Sequence, residues 1–283
     1  MSDSKHSAAE YPDLRHLSGL LVLVGAGKMG GALLDGWLRF GLNPANVVVV
    51  EPQPSPQIAA LVDRGVQIRP DTRGLPHAAA VVIAVKPQAA ADVVPAAAPV
   101  IGASTLIVSI MAGRTLQFLS DALNTPCALV RAMPNTPAAI GRGITVAVAR
   151  GASEKQRELA HGLLAATGTV EWVDNEALMD AVTAVSGSGP AYVFLLAEAL
   201  AQAAIAVGLP PTLADKLARE TVAGSGELLQ RSSLTAAKLR ENVTSPGGTT
   251  AAALKVLMGS NGLEPLMKEA VAAATARSRE LAD

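Results

Sequence analysis

A glycine-rich turn near the start of the chain, GAGKMG at Gly25–Gly30, constrains the fold more than any other stretch. The apolar run Leu20–Val24 leads into it, and apolar residues at helical spacing follow it from Ala32 to Leu38. A strand, a G-x-G-x-x-G turn and a helix in this order are typical of dinucleotide-binding units. The glycines allow a tight turn and close approach of a pyrophosphate, and the N–H groups at the helix start attract its oxygens. We therefore expect a dinucleotide site here, with an ordinary glycine turn as the alternative.

Short apolar runs alternate with helical patterns through the first half of the chain, which predicts an α/β fold. Continuous, β-branched runs are typical of strands that are covered on both faces. We predict a doubly wound, mostly parallel sheet, with ligands gathered beyond the carboxyl ends of its strands. The predicted strands are Leu20–Val24, Val47–Val50, Val66–Ile68, Ala80–Val85, Thr105–Ile110, Ala128–Arg131, Ile144–Ala149 and Thr169–Val173.

After Val173 the strand pattern stops and only helical patterns remain. We predict an N-terminal extension at residues 1–19, a dinucleotide-binding domain at 20–174 and an all-helical domain at 175–283. Small residues in these helices allow close helix–helix approach, either within one chain or in an intertwined dimer. The predicted helices are Glu176–Val185, Ala191–Val207, Pro211–Gln230, Leu234–Asn242, Thr249–Met258 and Leu263–Leu281.

Composition argues against several classes of protein. A net charge of −1 gives no basic footprint for nucleic acid. Charges and prolines interrupt the most apolar region, Ala78–Gly113, so we expect no membrane span, and the N-terminus lacks the apolar segment of a secretory signal. The single cysteine, Cys127, is typical of a small core residue in a reducing, cytoplasmic setting. Four scattered histidines and this one cysteine predict no metal site.

Polar or flexible residues follow several predicted strands, where a cofactor would bind. Glu51 follows the second strand, and an acidic residue there accepts hydrogen bonds from the adenosine ribose hydroxyls. Its carboxylate would repel a 2′-phosphate, and we expect no arginine close by to offset that repulsion. Lys86-Pro87 and Ser109–Gly113 follow later strands, and Asn135 in the next loop could hydrogen-bond a nicotinamide amide. An ordinary strand end or surface turn is the alternative for each.

The stretch Ser245–Thr250, SPGGTT, begins a helical pattern in the second half. Thr249 or Thr250 can cap this helix, and the glycines leave backbone N–H groups unobstructed, which suits a small carboxylate. An ordinary capped helix start is the alternative. Ser186–Tyr192, SGSGPAY, is predicted to join two helices, either as a plain connection or as a turn facing the cofactor.

These motifs together resemble the pyrroline-5-carboxylate reductase family over residues 20–281. They are GAGKMG at 25–30, AVKP at 84–87, SIMAG at 109–113, RAMPNTPA at 131–138, AVSGSGPAY at 184–192 and SPGGTTAAAL at 245–254. The resemblance implies a Rossmann-type domain followed by a helical domain that interlocks in a homodimer, which commonly assembles further into a decamer. It implies reduction of (S)-1-pyrroline-5-carboxylate to L-proline by NADPH or NADH, in a pocket between the helical domains of two subunits.

The resemblance also implies residue roles. It places the cofactor on Val24, Gly25, Ala26, Gly27, Lys28, Met29, Glu51, Ala84, Val85, Lys86, Pro87, Ile110, Met111 and Ala112, to which the local patterns add Gly30 and Asn135. It places the substrate on Glu176, Ser245, Gly248 and Thr250, to which the helix start adds Gly247 and Thr249. The family usually has a small neutral residue where this chain has Glu51, so we expect good use of NADH.

The expected reaction transfers a hydride to the imine carbon, and the ring nitrogen takes its proton from water. Thr250 is expected to hydrogen-bond the ring nitrogen or the carboxylate, as the catalytic residue. One alternative is a related dehydrogenase or imine reductase acting on another small acid. A hydroxy-acid enzyme of that kind needs a base, and the helical-region lysines (Lys216, Lys238, Lys255 and Lys268) have no evident site context. The other alternative is a non-catalytic dinucleotide-binding regulator.

Overall fold

A computed structural model describes residues 14–281 and divides into two compact units. The first unit runs through Gly187 and takes in the chain again from Thr275, and the second is Ser188–Ala274. Residues 1–13 of the predicted extension lie outside the described residues. The boundary between the two units, at 187/188, lies later in the chain than the predicted domain boundary at 174/175. The predicted domain boundary stays a prediction.

The first unit is built on an eight-stranded sheet, and all eight strands were predicted, with ends that differ by one or two residues. The strands are β1 (Leu21–Val24), β2 (Val47–Val50), β3 (Gln67–Arg69), β4 (Ala80–Ile83), β5 (Leu106–Ser109), β6 (Ala128–Met133), β7 (Gly143–Arg150) and β8 (Gly168–Trp172). Their order is β3-β2-β1-β4-β5-β6-β7-β8, and every neighbouring pair is parallel except β6 and β7. The doubly wound, mostly parallel sheet is confirmed.

The chain has eleven α-helices within residues 14–281. They are α1 (Lys28–Arg39), α2 (Pro56–Ala59), α3 (Ala90–Ala96), α4 (Leu116–Leu123), α5 (Glu154–Ala165), α6 (Met179–Val182), α7 (Gly189–Ala206), α8 (Pro211–Arg231), α9 (Ala236–Asn242), α10 (Thr249–Leu257) and α11 (Leu263–Glu280). After Ser55 the chain forms the short α2 and then a 3-10 turn that ends at Gly65, where φ is +97°. All of α7–α10 and most of α11 belong to the second unit.

Alternate residues of the buried strands enter two separate cores. Leu21 and Leu23 pack with α1 and α5 on one face, whereas Val22 and Val24 pack with α3 and α4 on the other. The fully buried Trp37 of α1 donates its indole N–H to the Leu163 carbonyl of α5 at 2.8 Å. Because helices cover both faces of the sheet, we expect a ligand to bind at the ends of its strands.

The predicted connection at Ser186–Tyr192 begins as a π-helical turn, Thr183–Gly187, which leads into α7. The hydroxyls of Thr183 and Ser186 donate to carbonyls one turn back, at 2.8 and 2.9 Å. A Cβ at Gly187 would lie 2.5 Å from the terminal methyl group of Met133, so this turn packs against the flexible end of a β6 side chain.

One helical stretch among the described residues, Glu176–Ala206, is long and apolar enough to cross a membrane by length and composition, with a mean hydropathy of 1.4. The expectation that the chain has no membrane span stays a prediction, because length and composition alone do not distinguish a span from a helix that packs against protein. Three successive apolar side chains of α7 are exposed in the single chain: Phe194, Leu195 and Leu196. An exposed apolar surface of this kind is typical of contact with another molecule.

Candidate functional site

The three motif glycines of the turn between β1 and α1 have different surroundings. Gly25 has a φ of +87°, and a Cβ there would lie 2.7 Å from a Val85 methyl group. A Cβ at Gly30 would lie 2.3 Å from the Gly25 carbonyl oxygen. At Gly27 nothing lies within 4 Å of the Cβ position. The first and third glycines are therefore required by packing, and the second leaves open space where a pyrophosphate can approach.

Helix α1 begins without a capping side chain. Gly27 is its N-cap residue, no side chain accepts from the first turn, and that turn carries no acidic residue. The first N–H groups of a helix have no acceptor within the helix, so they are available to an anion. The turn and the helix start fit the diphosphate of a nicotinamide dinucleotide.

Glu51, at the carboxyl end of β2, is held against this turn. Its carboxylate accepts from the Ala26 N–H at 3.1 Å and from the Gln53 N–H at 3.2 Å. β3 places the backbone of Arg69 beside Glu51: the Glu51 N–H donates to the Arg69 carbonyl at 3.0 Å, whereas the Arg69 guanidinium donates to the Arg73 carbonyl at 3.2 Å. The expectation that no arginine lies close enough to offset the Glu51 carboxylate stays a prediction. Glu51 and Arg69 are far apart in the sequence, and the pairing of β2 with β3 brings their backbones together.

A cavity of about 220 Å³ opens at the carboxyl ends of β1 and β2. Apolar atoms of Val50 and Val85 line it together with Gly25, and its charged lining residues are Glu51, Asp71 and Asp92. The hydrogen bond from the Arg73 side chain holds the pKa of the Asp71 carboxyl below its usual value. An apolar cavity beside the glycine turn is suited to a purine base, and its carboxylates are suited to hydroxyl donors.

The loops after β4 and β5 are joined by a residue that the sequence analysis did not select. The Arg114 guanidinium donates to the Pro87 carbonyl at 3.1 and 3.3 Å and lies 4.9 Å from the centre of the Phe118 ring. The sequence signal that could have identified Arg114 was its position directly after the SIMAG motif. The buried Ser109 hydroxyl accepts from the Met111 N–H at 3.3 Å. The predicted cofactor residues Ala84–Pro87 and Ile110–Ala112 are thus parts of two connected loops.

Asn135 and Glu176 already have partners within the first unit. The Asn135 side-chain oxygen accepts from the Ile144 N–H at 3.0 Å, where β7 begins. Glu176 Oε1 accepts from the Leu116 N–H at 2.7 Å and from the Arg131 guanidinium at 3.0 Å. Arg131, which the sequence analysis did not select, is 4 % exposed, and its only signal was a charge inside an otherwise apolar strand.

The start of α10 in the second unit is capped differently from the prediction. Gly248 is the N-cap residue and no side chain accepts there, so neither Thr249 nor Thr250 caps the helix. Gly248 N–H donates to the Ser245 carbonyl at 3.0 Å, and Gly247 has a φ of +69°. This glycine turn puts Thr249 inside the helix, one residue too late to cap it. The N–H groups of the first turn are then available to an anion, as at α1.

The predicted site residues form two groups. The cofactor residues lie together at one edge of the sheet, and Ser245–Thr250 lie together at the start of α10. Glu176 belongs to the first unit, not to the second with the other predicted substrate residues. Among residues 14–281, no group of three or more His, Cys, Asp or Glu is arranged to hold a metal ion. Burial raises the pKa of the free Cys127 thiol, which disfavours its reactive thiolate.

Comparison with known proteins identifies the family. Residues 176–281 match the family model for pyrroline-5-carboxylate reductase dimerisation, and residues 20–113 match that for NADP oxidoreductase, coenzyme F420-dependent. The chain is 39% identical to the pyrroline-5-carboxylate reductase of Pseudomonas aeruginosa, over 93% of this chain and 97% of that protein. It is 40% identical to the pyrroline-5-carboxylate reductase of Mycobacterium leprae, over 92% and 96%.

Solved structures agree with the sequence relatives. A pyrroline-5-carboxylate reductase from Coxiella burnetii superposes with a TM-score of 0.87 at 33% identity, covering 94% of this chain and 100% of that one. The pyrroline carboxylate reductase of Plasmodium falciparum, solved with NADP bound, gives a TM-score of 0.79 at 28% identity, covering 94% and 99%. Since relatives of this identity align along nearly their whole length, the chain belongs to the pyrroline-5-carboxylate reductase family.

Proposed function

We propose that this protein reduces the imine bond of (S)-1-pyrroline-5-carboxylate to give L-proline, with NADPH or NADH as the reductant. The observation that carries this proposal is the similarity to named pyrroline-5-carboxylate reductases along nearly the whole chain. The site adds independent support, since it has the open glycine turn at Gly27 and the uncapped start of α1 that a dinucleotide needs.

The first unit holds the dinucleotide in this proposal. The N–H groups of the turn and of α1 bind its diphosphate, and Glu51 faces its adenosine ribose. Arg114 fixes the two loops that carry Ala84–Pro87 and Ile110–Ala112, beside which the nicotinamide is oriented. When bound, the reduced nicotinamide supplies the hydride.

The start of α10 holds the substrate carboxylate on its free N–H groups, with Ser245, Gly247, Gly248 and Thr249 forming the turn. Thr250 donates a hydrogen bond to the carboxylate or supports the ring nitrogen. The ring nitrogen takes its proton from water, so the protein contributes positioning and no strong general acid. The substrate role of Glu176 stays a prediction; within the first unit its carboxylate accepts from the Arg131 guanidinium and from the Leu116 N–H at the start of α4.

Imine reduction and hydroxy-acid chemistry differ in whether they need a base in the helical unit. A hydroxy-acid dehydrogenase needs a base near its substrate, and lysine is the usual choice in such helical domains. Two of the four candidates are in exposed ion pairs, Lys238 with Glu241 at 3.2 Å and Lys268 with Glu264 at 2.7 Å. Reduction of an imine requires no such base.

The assembly we propose is a homodimer formed by the helical part, 175–283, which associates further into a larger oligomer such as a decamer. The match of residues 176–281 to a dimerisation family and the exposed Phe194, Leu195 and Leu196 of α7 support the dimer. We also propose that residues 20–174 form the dinucleotide-binding domain of each subunit. A cytoplasmic location suits a chain whose single cysteine is unpaired.

The test is an assay of the purified protein with pyrroline-5-carboxylate and each reduced cofactor. The expected result is proline formed in equal amount to the cofactor oxidised, with no oxidation when a 2-keto acid replaces the imine. Absence of proline with both cofactors would exclude the proposed activity.

A further inference from the structure

We propose that this protein takes NADH in preference to NADPH, because the described residues that line its adenosine-end cavity include the fixed Glu51 carboxylate and two aspartates but no lysine or arginine. This inference rests on the proposed function, since it names the form of the dinucleotide that the same site binds. NADPH differs from NADH by one phosphate on the adenosine ribose. The charges around the cavity beside β2 therefore decide between the two.

The position of the Glu51 carboxylate is fixed by the backbone. One oxygen accepts from Ala26 N–H in the glycine turn at 3.1 Å, and the other accepts from Gln53 N–H at 3.2 Å. Because both contacts are to backbone donors, the carboxylate stays beside the turn that binds the diphosphate. A carboxylate in this position accepts hydrogen bonds from ribose hydroxyls.

The cavity next to Glu51 has further negative charge. Its lining includes Asp71 and Asp92, and no lysine or arginine is among the described residues that line it. A phosphate carries nearly two negative charges at neutral pH. Placing that charge against a fixed carboxylate is unfavourable, because like charges repel strongly where water is partly excluded.

Two arginines lie near the cavity but outside its lining, and both donate hydrogen bonds within the protein. Arg73 donates from its side chain and from its backbone N–H to the Asp71 carboxylate, each at 2.9 Å. Arg69 donates to the Arg73 carbonyl at 3.2 Å. Asp71 therefore competes with any phosphate for Arg73. The exposed Lys28 lines a different cavity, of about 430 Å³, together with Gly27 and Ser55.

Binding of each cofactor, measured without the imine substrate, tests the inference separately from catalysis. Titration of the full-length protein with NADH and with NADPH, followed by nicotinamide fluorescence, gives two dissociation constants. We expect NADH to bind about tenfold more tightly than NADPH. The preference should decrease as salt is added, because salt screens the repulsion of the phosphate.

Two variants separate the contributions. Glu51→Gln removes the charge and should shift the ratio of the two dissociation constants towards NADPH by about tenfold. Asp71→Asn should free Arg73 and shift the ratio in the same direction, so it provides a second test where Glu51→Gln does not fold. The control is Asp63→Asn, an exposed carboxylate in the turn after α2 that does not line the cavity; its ratio should not change.

The outcomes separate the two proposals. Equal or tighter binding of NADPH to the wild-type protein overturns the cofactor inference, whether or not proline is formed. An unchanged ratio in both Glu51→Gln and Asp71→Asn overturns the role given to these carboxylates. Tighter binding of NADH by a protein that forms no proline leaves the cofactor inference standing and removes the proposed function.

Discussion

Glu176 and Arg131 form a largely buried ion pair, in which Glu176 Oε1 lies 3.0 Å from Arg131 Nη1. The two side chains are 24% and 5% exposed. The same carboxylate oxygen accepts from the Leu116 N–H at the start of α4. Glu176 therefore joins β6 to α4.

Removing this carboxylate should cost stability. Glu176→Ala leaves the buried Arg131 charge without a partner, so we expect the free energy of unfolding to fall by about 3–5 kcal/mol. Urea denaturation followed by circular dichroism measures the loss. Glu264→Ala removes an exposed ion pair with Lys268 and should leave the transition unchanged. A Glu176→Ala protein as stable as the wild type would contradict the structural role.

The glycine turn predicts opposite outcomes for two single-methyl substitutions. Gly30→Ala puts a Cβ against the Gly25 carbonyl and should lower the free energy of unfolding by about 1–3 kcal/mol. Gly27→Ala meets open space and should fold normally, but its methyl group narrows the approach of the diphosphate, so the Kd for NADH should rise about tenfold. Thermal melts and cofactor titrations of both variants decide this. Unimpaired NADH binding by Gly27→Ala would show that the diphosphate lies elsewhere.

The hydroxyl of Thr250 is assigned to the substrate and not to the cofactor. Thr250→Ala should lower kcat/KM for the imine by about tenfold while the Kd for NADH is unchanged, since one hydrogen bond to a charged group is lost. Thr250→Ser should restore most of the activity, and Thr212→Ala, at an exposed site on α8, is the control. If kcat/KM stays at the wild-type value in Thr250→Ala, the catalytic assignment is wrong.

The exposed apolar residues of α7 predict where subunits meet. Phe194 is 67% exposed in the single chain, so Phe194→Glu should put a charge into an apolar contact and dissociate the oligomer. Size-exclusion chromatography with light scattering gives the mass of each variant. Lys155→Glu, exposed on α5, matches the introduced carboxylate and should keep the wild-type mass. An oligomer of unchanged mass in Phe194→Glu would exclude Phe194 from the subunit contact.

Much of the fold follows from the sequence because the strands are continuous, β-branched runs covered on both faces. Residue pairs distant in the sequence were harder to predict. Nothing near Arg131 or Glu176 in the chain indicates that they meet, and the contact of Arg114 with Pro87 depends on parallel strands placing two loops side by side. The expectation that Thr249 or Thr250 caps α10 was wrong, because Gly248 occupies the N-cap position. Glycine is a common N-cap residue although it has no side chain to accept a hydrogen bond.

The most direct test of imine reduction follows a deuterium atom from C4 of the reduced nicotinamide into the product. NADH carrying deuterium at the transferred position is incubated with the protein and unlabelled pyrroline-5-carboxylate in ordinary water, and the proline is analysed by mass spectrometry and NMR. Hydride transfer predicts proline with a single deuterium, on the ring carbon that is bonded to nitrogen and does not bear the carboxylate. Proline without deuterium, or no proline with either NADH or NADPH, would contradict it.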